Sequence, residues 1–150
     1  KIGAPENEEY AIGAIDISGN DIFNEFKKSY ADKKWLEHKI LAEKTEAERR
    51  WNTYRKGKCP LDLHSKTAII VDDGIATGLT MEVAIDYAKR EGAQKVIVAV
   101  PVASPDTVYK LKNKAEIRVL ETPAFFSAVG EWYENFPQVS DQEVVGALAS

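Results

Sequence analysis

Residues 69–80, Ile-Ile-Val-Asp-Asp-Gly-Ile-Ala-Thr-Gly-Leu-Thr, constrain the fold of this chain more than any other stretch. The β-branched run Thr67 to Val71 predicts a short buried strand. Met81, Ala84, Ile85 and Ala88 fall at helical spacing and predict a helix from about Thr80 to Arg90, stopped by Gly92. Between strand and helix lie two acids and a Thr/Gly bend. Gly78 permits a tight backbone path. The helix that starts there offers free N–H groups and the positive end of its dipole, so the bend is a ready anion cradle, with Thr77 and Thr80 as added hydroxyl donors. In an open parallel sheet, ligands gather beyond the carboxyl ends of the strands, which places Asp72 and Asp73 at a ligand crevice. The acids would repel the anion that the bend attracts. They suit the neighbouring hydroxyls of a ribose, or a Mg²⁺ bridging to them. A sugar phosphate satisfies both halves at once. An Asp-Asp-Gly turn after a strand is common by itself; the specificity comes from the full order of apolar strand, acid pair and Ala-Thr-Gly-Leu-Thr. No Gly-Lys-Ser/Thr follows, and no Gly-x-Gly-x-x-Gly is present, so this is neither a Walker loop nor a dinucleotide fingerprint.

The remaining pattern gives the frame. Val96 to Val100 and Ile117 to Leu120 read as further buried strands, and Ser104-Pro105 as the N-cap and first position of a helix reaching about Lys112. Strand, helix, strand, helix, strand, with continuous rather than alternating apolar strands, predicts a parallel sheet covered on both faces. Residues 1–8 read as loop, and Glu9 to Ile17 as a strand ending in a turn at Ser18-Gly19-Asn20. Residues 32–56 predict a long helix whose Leu36, Ile40, Ala47, Trp51 and Tyr54 share one face, closed by Gly57 and Pro60. That face would pack on a sheet or on a second copy in a homodimer. After Pro123, the residues Phe125, Phe126, Trp132, Tyr133 and Phe136 form an aromatic-rich irregular segment, and residues 140–150 a short terminal helix of little consequence.

Composition excludes several classes. The 150 residues suit one domain with its own core. Net charge is −4 with Lys and Arg dispersed, so no basic face for nucleic acid is expected. Cys59 is the single cysteine, which excludes an internal disulfide and a Cys-based metal site and suits a reducing, cytoplasmic setting. No apolar run approaches the ~20 residues of a membrane span. The chain begins at Lys1 without Met, and we expect a preceding N-terminal portion.

The 69–80 string resembles the phosphoribosyl pyrophosphate (PRPP) signature of type I phosphoribosyltransferases. Lys1 to Pro5, Ala11 to Ala14, Pro101-Val102-Ala103, Leu120 to Pro123 and Val129 to Tyr133 resemble one bacterial and archaeal branch of that family. The resemblance implies an α/β fold with a doubly wound, mainly parallel, Rossmann-like core and a small aromatic-rich C-terminal hood over a single domain of residues 1–150. It implies transfer of the 5-phosphoribosyl group of PRPP to a nitrogenous base, Mg²⁺-dependent and with release of pyrophosphate, as in nucleotide salvage. By the same resemblance Asp72 and Asp73 hold the ribose hydroxyls, and Ala76, Thr77, Gly78, Leu79 and Thr80 wrap the 5-phosphate. Lys1 matches a lysine on the pyrophosphate side. Phe126, or else Phe125, matches the ring that stacks on the base in 6-oxopurine enzymes, and Glu131 the acid that helps position Mg²⁺ there. Two departures stand out. Ala76 occupies the position of an acid proposed as general base in those enzymes, as in adenine-type members. The strand whose loop binds pyrophosphate is not found. The alternative from the same resemblance is a regulatory module that binds PRPP or a nucleotide and catalyses nothing.

Overall fold

The computed structural model describes residues 1–59 and 61–149, Glu9 by its backbone alone. The described residues form two three-stranded sheets. One is antiparallel, with β1 (Ile2–Ala4), β2 (Asn7–Ile15) and β3 (Asp21–Phe23) in that order. The other is parallel, with β4 (Thr67–Val71), β5 (Lys95–Val102) and β6 (Glu116–Glu121) side by side. Helix α1 (Glu25–Lys28) and the long α2 (Lys33–Tyr54) connect the sheets in sequence. Helix α3 (Leu79–Arg90) joins β4 to β5, and α4 (Pro105–Leu111) joins β5 to β6. A 3₁₀ turn over Val129–Trp132 and α5 (Asp141–Ala149) follow. This is the α/β class that the strand–helix alternation predicts.

Helix α3 is the element shared by the two sheets. It packs on β2 and β3 to one side and on β4 and β5 to the other. Its sequence explains this double burial. Met81, Ile85 and Ala88 join Val96, Val98 and Val100 in the main core. Val83, roughly 200° round the helix from Met81, is buried as well. A helix apolar on two sides must be covered on two sides. Its last residue, Arg90, pairs with the buried carboxylate of Asp16, which also accepts the Asn20 N–H at 2.9 Å. The β2–β3 turn is thereby fastened to α3.

Three expectations need correction. Ile2–Ala4 is a strand rather than loop, because Ile2 is wholly buried against Ile12 and Leu36. The terminal helix is tied in: Asp141 accepts from the Tyr54 hydroxyl and from Arg49 at 2.6 Å, so the far end of the apolar face of α2 is used within the chain. The parallel sheet is covered on one face among the described residues. Val96, Val98, Val100 and Val102 are buried, whereas Ile69, Val71 and Leu120 are 63%, 72% and 82% exposed. The reason is topological. Strands taken in sequential order with crossovers of one hand put α3 and α4 on the same side. The predicted helix stop at Gly57 lies in a left-handed turn at φ 74°, while Pro60 lies outside the described residues.

This asymmetry has a measurable consequence. Ile85→Val removes one methylene from a fully buried site and is expected to cost about 1 kcal/mol. Ile69→Val, on the bare face, is expected to stay within about 0.5 kcal/mol. Urea midpoints of the two variants check this. Equal losses would mean that the face carrying Ile69 is covered.

Candidate functional site

The site is built where β4 leaves the sheet. Asp72 and Asp73 follow its last residue, and both are exposed. The Asp73 N–H donates to Asp72 Oδ1 at 3.0 Å, and the Tyr133 hydroxyl donates to the Asp73 carbonyl at 2.7 Å. Protein atoms crowd the Asp72 carboxyl enough for desolvation to raise its pKa. The Asp73 charge adds to the rise, and the Asp73 N–H opposes it.

Beyond the acids the chain turns back to the sheet. Ile75 bridges to Ala103 in parallel fashion, donating to the Val102 carbonyl and accepting from the Ser104 N–H, both at 3.0 Å. Gly74 is required by this close return, since a Cβ there would lie 2.7 Å from Val129 Cγ1 and 3.0 Å from Val102 Cγ1. The Ala76 carbonyl then accepts two hydroxyls from the β5–α4 connection, Thr107 Oγ1 at 2.6 Å and Ser104 Oγ at 3.1 Å. Gly78 is left-handed at φ 77° and stands as the N-cap of α3 without a side-chain capping bond. A Cβ on Gly78 would sit 2.4 Å from Thr107 Cγ2.

The outcome is a run of free donors. Among the described residues, the N–H groups of Ala76, Thr77, Gly78, Leu79 and Thr80 donate no backbone hydrogen bond. They precede a helix of 12 residues, whose dipole adds positive potential at its N-terminus. The one acid of its first turn, Glu82, is neutralised by Lys114 at 2.9 Å. Thus the structure brings together at one strand exit the acid pair and the 76–80 bend named from sequence.

The other sequence-predicted residues are placed differently. Lys1 directly precedes β1 of the antiparallel sheet, whereas the acid pair follows β4 of the parallel one. Phe125 projects into solvent at 93% exposure. Phe126 stacks on Trp132, with ring centroids 6.4 Å apart and planes 12° from parallel. The Glu131 carboxylate accepts the Ser127 hydroxyl at 2.7 and 2.9 Å. The expected aromatic hood is an irregular segment with one 3₁₀ turn.

A cavity of about 240 Å³ opens at the carboxyl ends of β5 and β6, lined by Pro101, Val102, Leu120, Glu121, Trp132 and Tyr133. Since Tyr133 also bonds Asp73, this cavity adjoins the acid pair. The aromatic density is visible in the sequence, yet nothing there gives Trp132 and Tyr133 a place in the site. The Tyr133 bond to Asp73 is a long-range contact that no local pattern encodes. Another cavity of about 250 Å³, lined by residues of β1, β2, α1 and the turn after α1 such as Tyr10, Lys27 and Tyr30, holds neither paired acids nor a run of free amides. Among the described residues no cluster of three or more His, Cys, Asp or Glu could hold a metal ion, and no helix is long and apolar enough to cross a membrane.

The chain is similar to known proteins. Residues 22–136 match the family described as phosphoribosyl transferase domain. Two Mycobacterium tuberculosis proteins, from strains CDC 1551 / Oshkosh and ATCC 25618 / H37Rv, are each named "Putative phosphoribosyl transferase". Each is 39% identical over an alignment of 151 positions that covers 99% of this chain. The chain spans about a third of their length, 34% in each case. The crystal structure of TT1426 from Thermus thermophilus aligns with a TM-score of 0.72 at 38% identity, covering 99% of this chain and 71% of that one.

Proposed function

Since this chain belongs to the phosphoribosyl transferase domain family, we propose that residues 72–80 bind the 5-phosphoribosyl group of PRPP for transfer to a nitrogenous base. The observation that carries this reading is the five undonated amides of Ala76 to Thr80, set directly after two exposed carboxylates. The amides and the hydroxyls of Thr77 and Thr80 take the 5-phosphate. Asp72 and Asp73 accept the ribose 2- and 3-hydroxyls, and the Trp132–Tyr133 cavity beside Asp73 takes the base that attacks C1. A planar base entering that cavity meets the Trp132 ring, braced from behind by Phe126.

The reaction is displacement at C1. The bond from C1 to the pyrophosphate oxygen breaks, a base nitrogen forms the new bond to C1, and pyrophosphate leaves with the electron pair. Positive charge develops on the ribose ring, and the carboxylates of Asp72 and Asp73 stabilise it in the sense that carboxylates act in glycoside hydrolysis. The rest of the chain's contribution is to position the two reactants. The donor set fits Mg²⁺, which takes one or two carboxylates together with substrate oxygens rather than an all-protein cage. Asp72 and Asp73 would hold it through the ribose hydroxyls, with Glu131 as a further acid reached through water, and the ion would neutralise the pyrophosphate. Lys1 would serve the pyrophosphate side. A cytoplasmic location and a homodimer belong to the same reading.

The test is pyrophosphate release from PRPP with Mg²⁺ and a panel of purine and pyrimidine bases. The expected outcome is release that depends on one base class. Tight PRPP binding with no release under any base would establish the sensing module instead, and no PRPP binding would end both readings.

A further inference from the structure

We infer that Ser104 and Thr107, on the β5–α4 connection, are positioning residues that aim the amides of the phosphate bend. The inference rests on the sugar-phosphate reading of residues 72–80. A trans peptide holds its C=O and N–H in one plane and pointing in opposite directions. The Ala76 carbonyl is pinned by Thr107 Oγ1 at 2.6 Å and by Ser104 Oγ at 3.1 Å. Two donors from one side fix the plane of the Ala76–Thr77 peptide, so the Thr77 N–H is directed away from Ser104 and Thr107. Thr107 is the stronger anchor: its one proton goes to the Ala76 carbonyl, whereas Ser104 shares its one proton between that carbonyl and Thr107 Oγ1, 2.8 Å away.

Thr107 does a second job with its methyl. Its Cγ2 fills the space where a Cβ on Gly78 would fall, at 2.4 Å. One side chain therefore holds the bend at two points, by hydroxyl at Ala76 and by methyl at Gly78. It is a polar residue only 3% exposed, and its hydroxyl bonds lie within this cluster. Without these bonds the Ala76 peptide could rotate and turn carbonyl lone pairs toward the anion.

The isosteric pair Thr107→Val and Thr107→Ser separates aiming from packing. Valine keeps the shape and loses the hydroxyl; serine keeps the hydroxyl and loses the methyl. Ribose 5-phosphate affinity is measured by calorimetry on the otherwise unaltered chain, with thermal melting alongside. Thr107→Val is expected to weaken ribose 5-phosphate by roughly tenfold, the equivalent of about 1.4 kcal/mol, and Thr107→Ser to restore affinity to within about threefold of the parent. A purely structural role would lower the melting temperature and leave the affinity of the folded protein unchanged. That result, in a parent that binds ribose 5-phosphate, overturns the inference and leaves the site reading standing. A parent that binds no ribose 5-phosphate overturns both. Should Thr107→Val fail to fold, Ser104→Ala decides the matter: weaker affinity supports the inference, and unchanged affinity overturns it.

Discussion

Converting Asp72 and Asp73 together to Asn is expected to weaken ribose 5-phosphate and PRPP binding by roughly 100-fold. Each carboxylate offers a charge-assisted acceptor to a sugar hydroxyl, and a neutral amide replaces it at a cost of about 1.4 kcal/mol per residue. The fold should not suffer. Both residues are exposed and lie outside the core clusters. Desolvation raises the pKa of Asp72, so folding disfavours its charged form relative to the unfolded chain. A raised carboxyl pKa gives stability that is gained as pH falls through the folded pKa and lost as pH rises above it. The double variant should therefore melt at the parent temperature or slightly higher near neutral pH, with a flatter dependence on pH in the acid range. Calorimetric titration beside a melting curve checks both parts. Unchanged affinity would remove the acids from the site, and a large drop in melting temperature would make them structural.

The second large effect belongs to Gly78. Gly78→Ala places a Cβ on a residue at φ 77° and 2.4 Å from Thr107 Cγ2. The left-handed backbone costs a non-glycine residue about 1–2 kcal/mol, and crowding a packed site about 1–3 more. The expected destabilisation is thus roughly 2–5 kcal/mol, a large share of the stability of an ordinary domain. The two contributions can be separated. Thr107→Ser removes the methyl that collides, so in the Gly78→Ala background it should return about 1 kcal/mol or more, whereas the backbone strain remains. Denaturant unfolding of the single and double variants measures this. Simple additivity would place Gly78 and Thr107 out of contact.

How much of this was legible in the sequence depends on how local each feature is. The exit of β4, the start of α3 near Thr80 and the capping of α4 by Ser104 all follow from short patterns of strand, cap and periodicity, and the structure has them. The acid pair and the bend are contiguous in sequence, so their meeting was legible too. What was not legible is tertiary. Ile2 lies in a segment full of breakers, and only its burial against Ile12 and Leu36 reveals a strand. The bare face carrying Ile69, Val71 and Leu120 has the composition of a covered one, because β-branched strands look alike on either side of a sheet. Thr107 reads as an ordinary helix residue until its hydroxyl is seen 2.6 Å from Ala76, 31 positions away. Tyr133 becomes part of the site only through Asp73, 60 positions away.

Amide ¹H–¹⁵N spectra recorded during titration with ribose 5-phosphate examine the phosphate bend without any need for turnover. The signals of Thr77, Gly78, Leu79 and Thr80 should shift together and saturate with a single dissociation constant, as those N–H groups gain the acceptor they lack. If the sugar phosphate binds while these four amides stay fixed and others respond, the anion is held elsewhere and residues 72–80 are not its site.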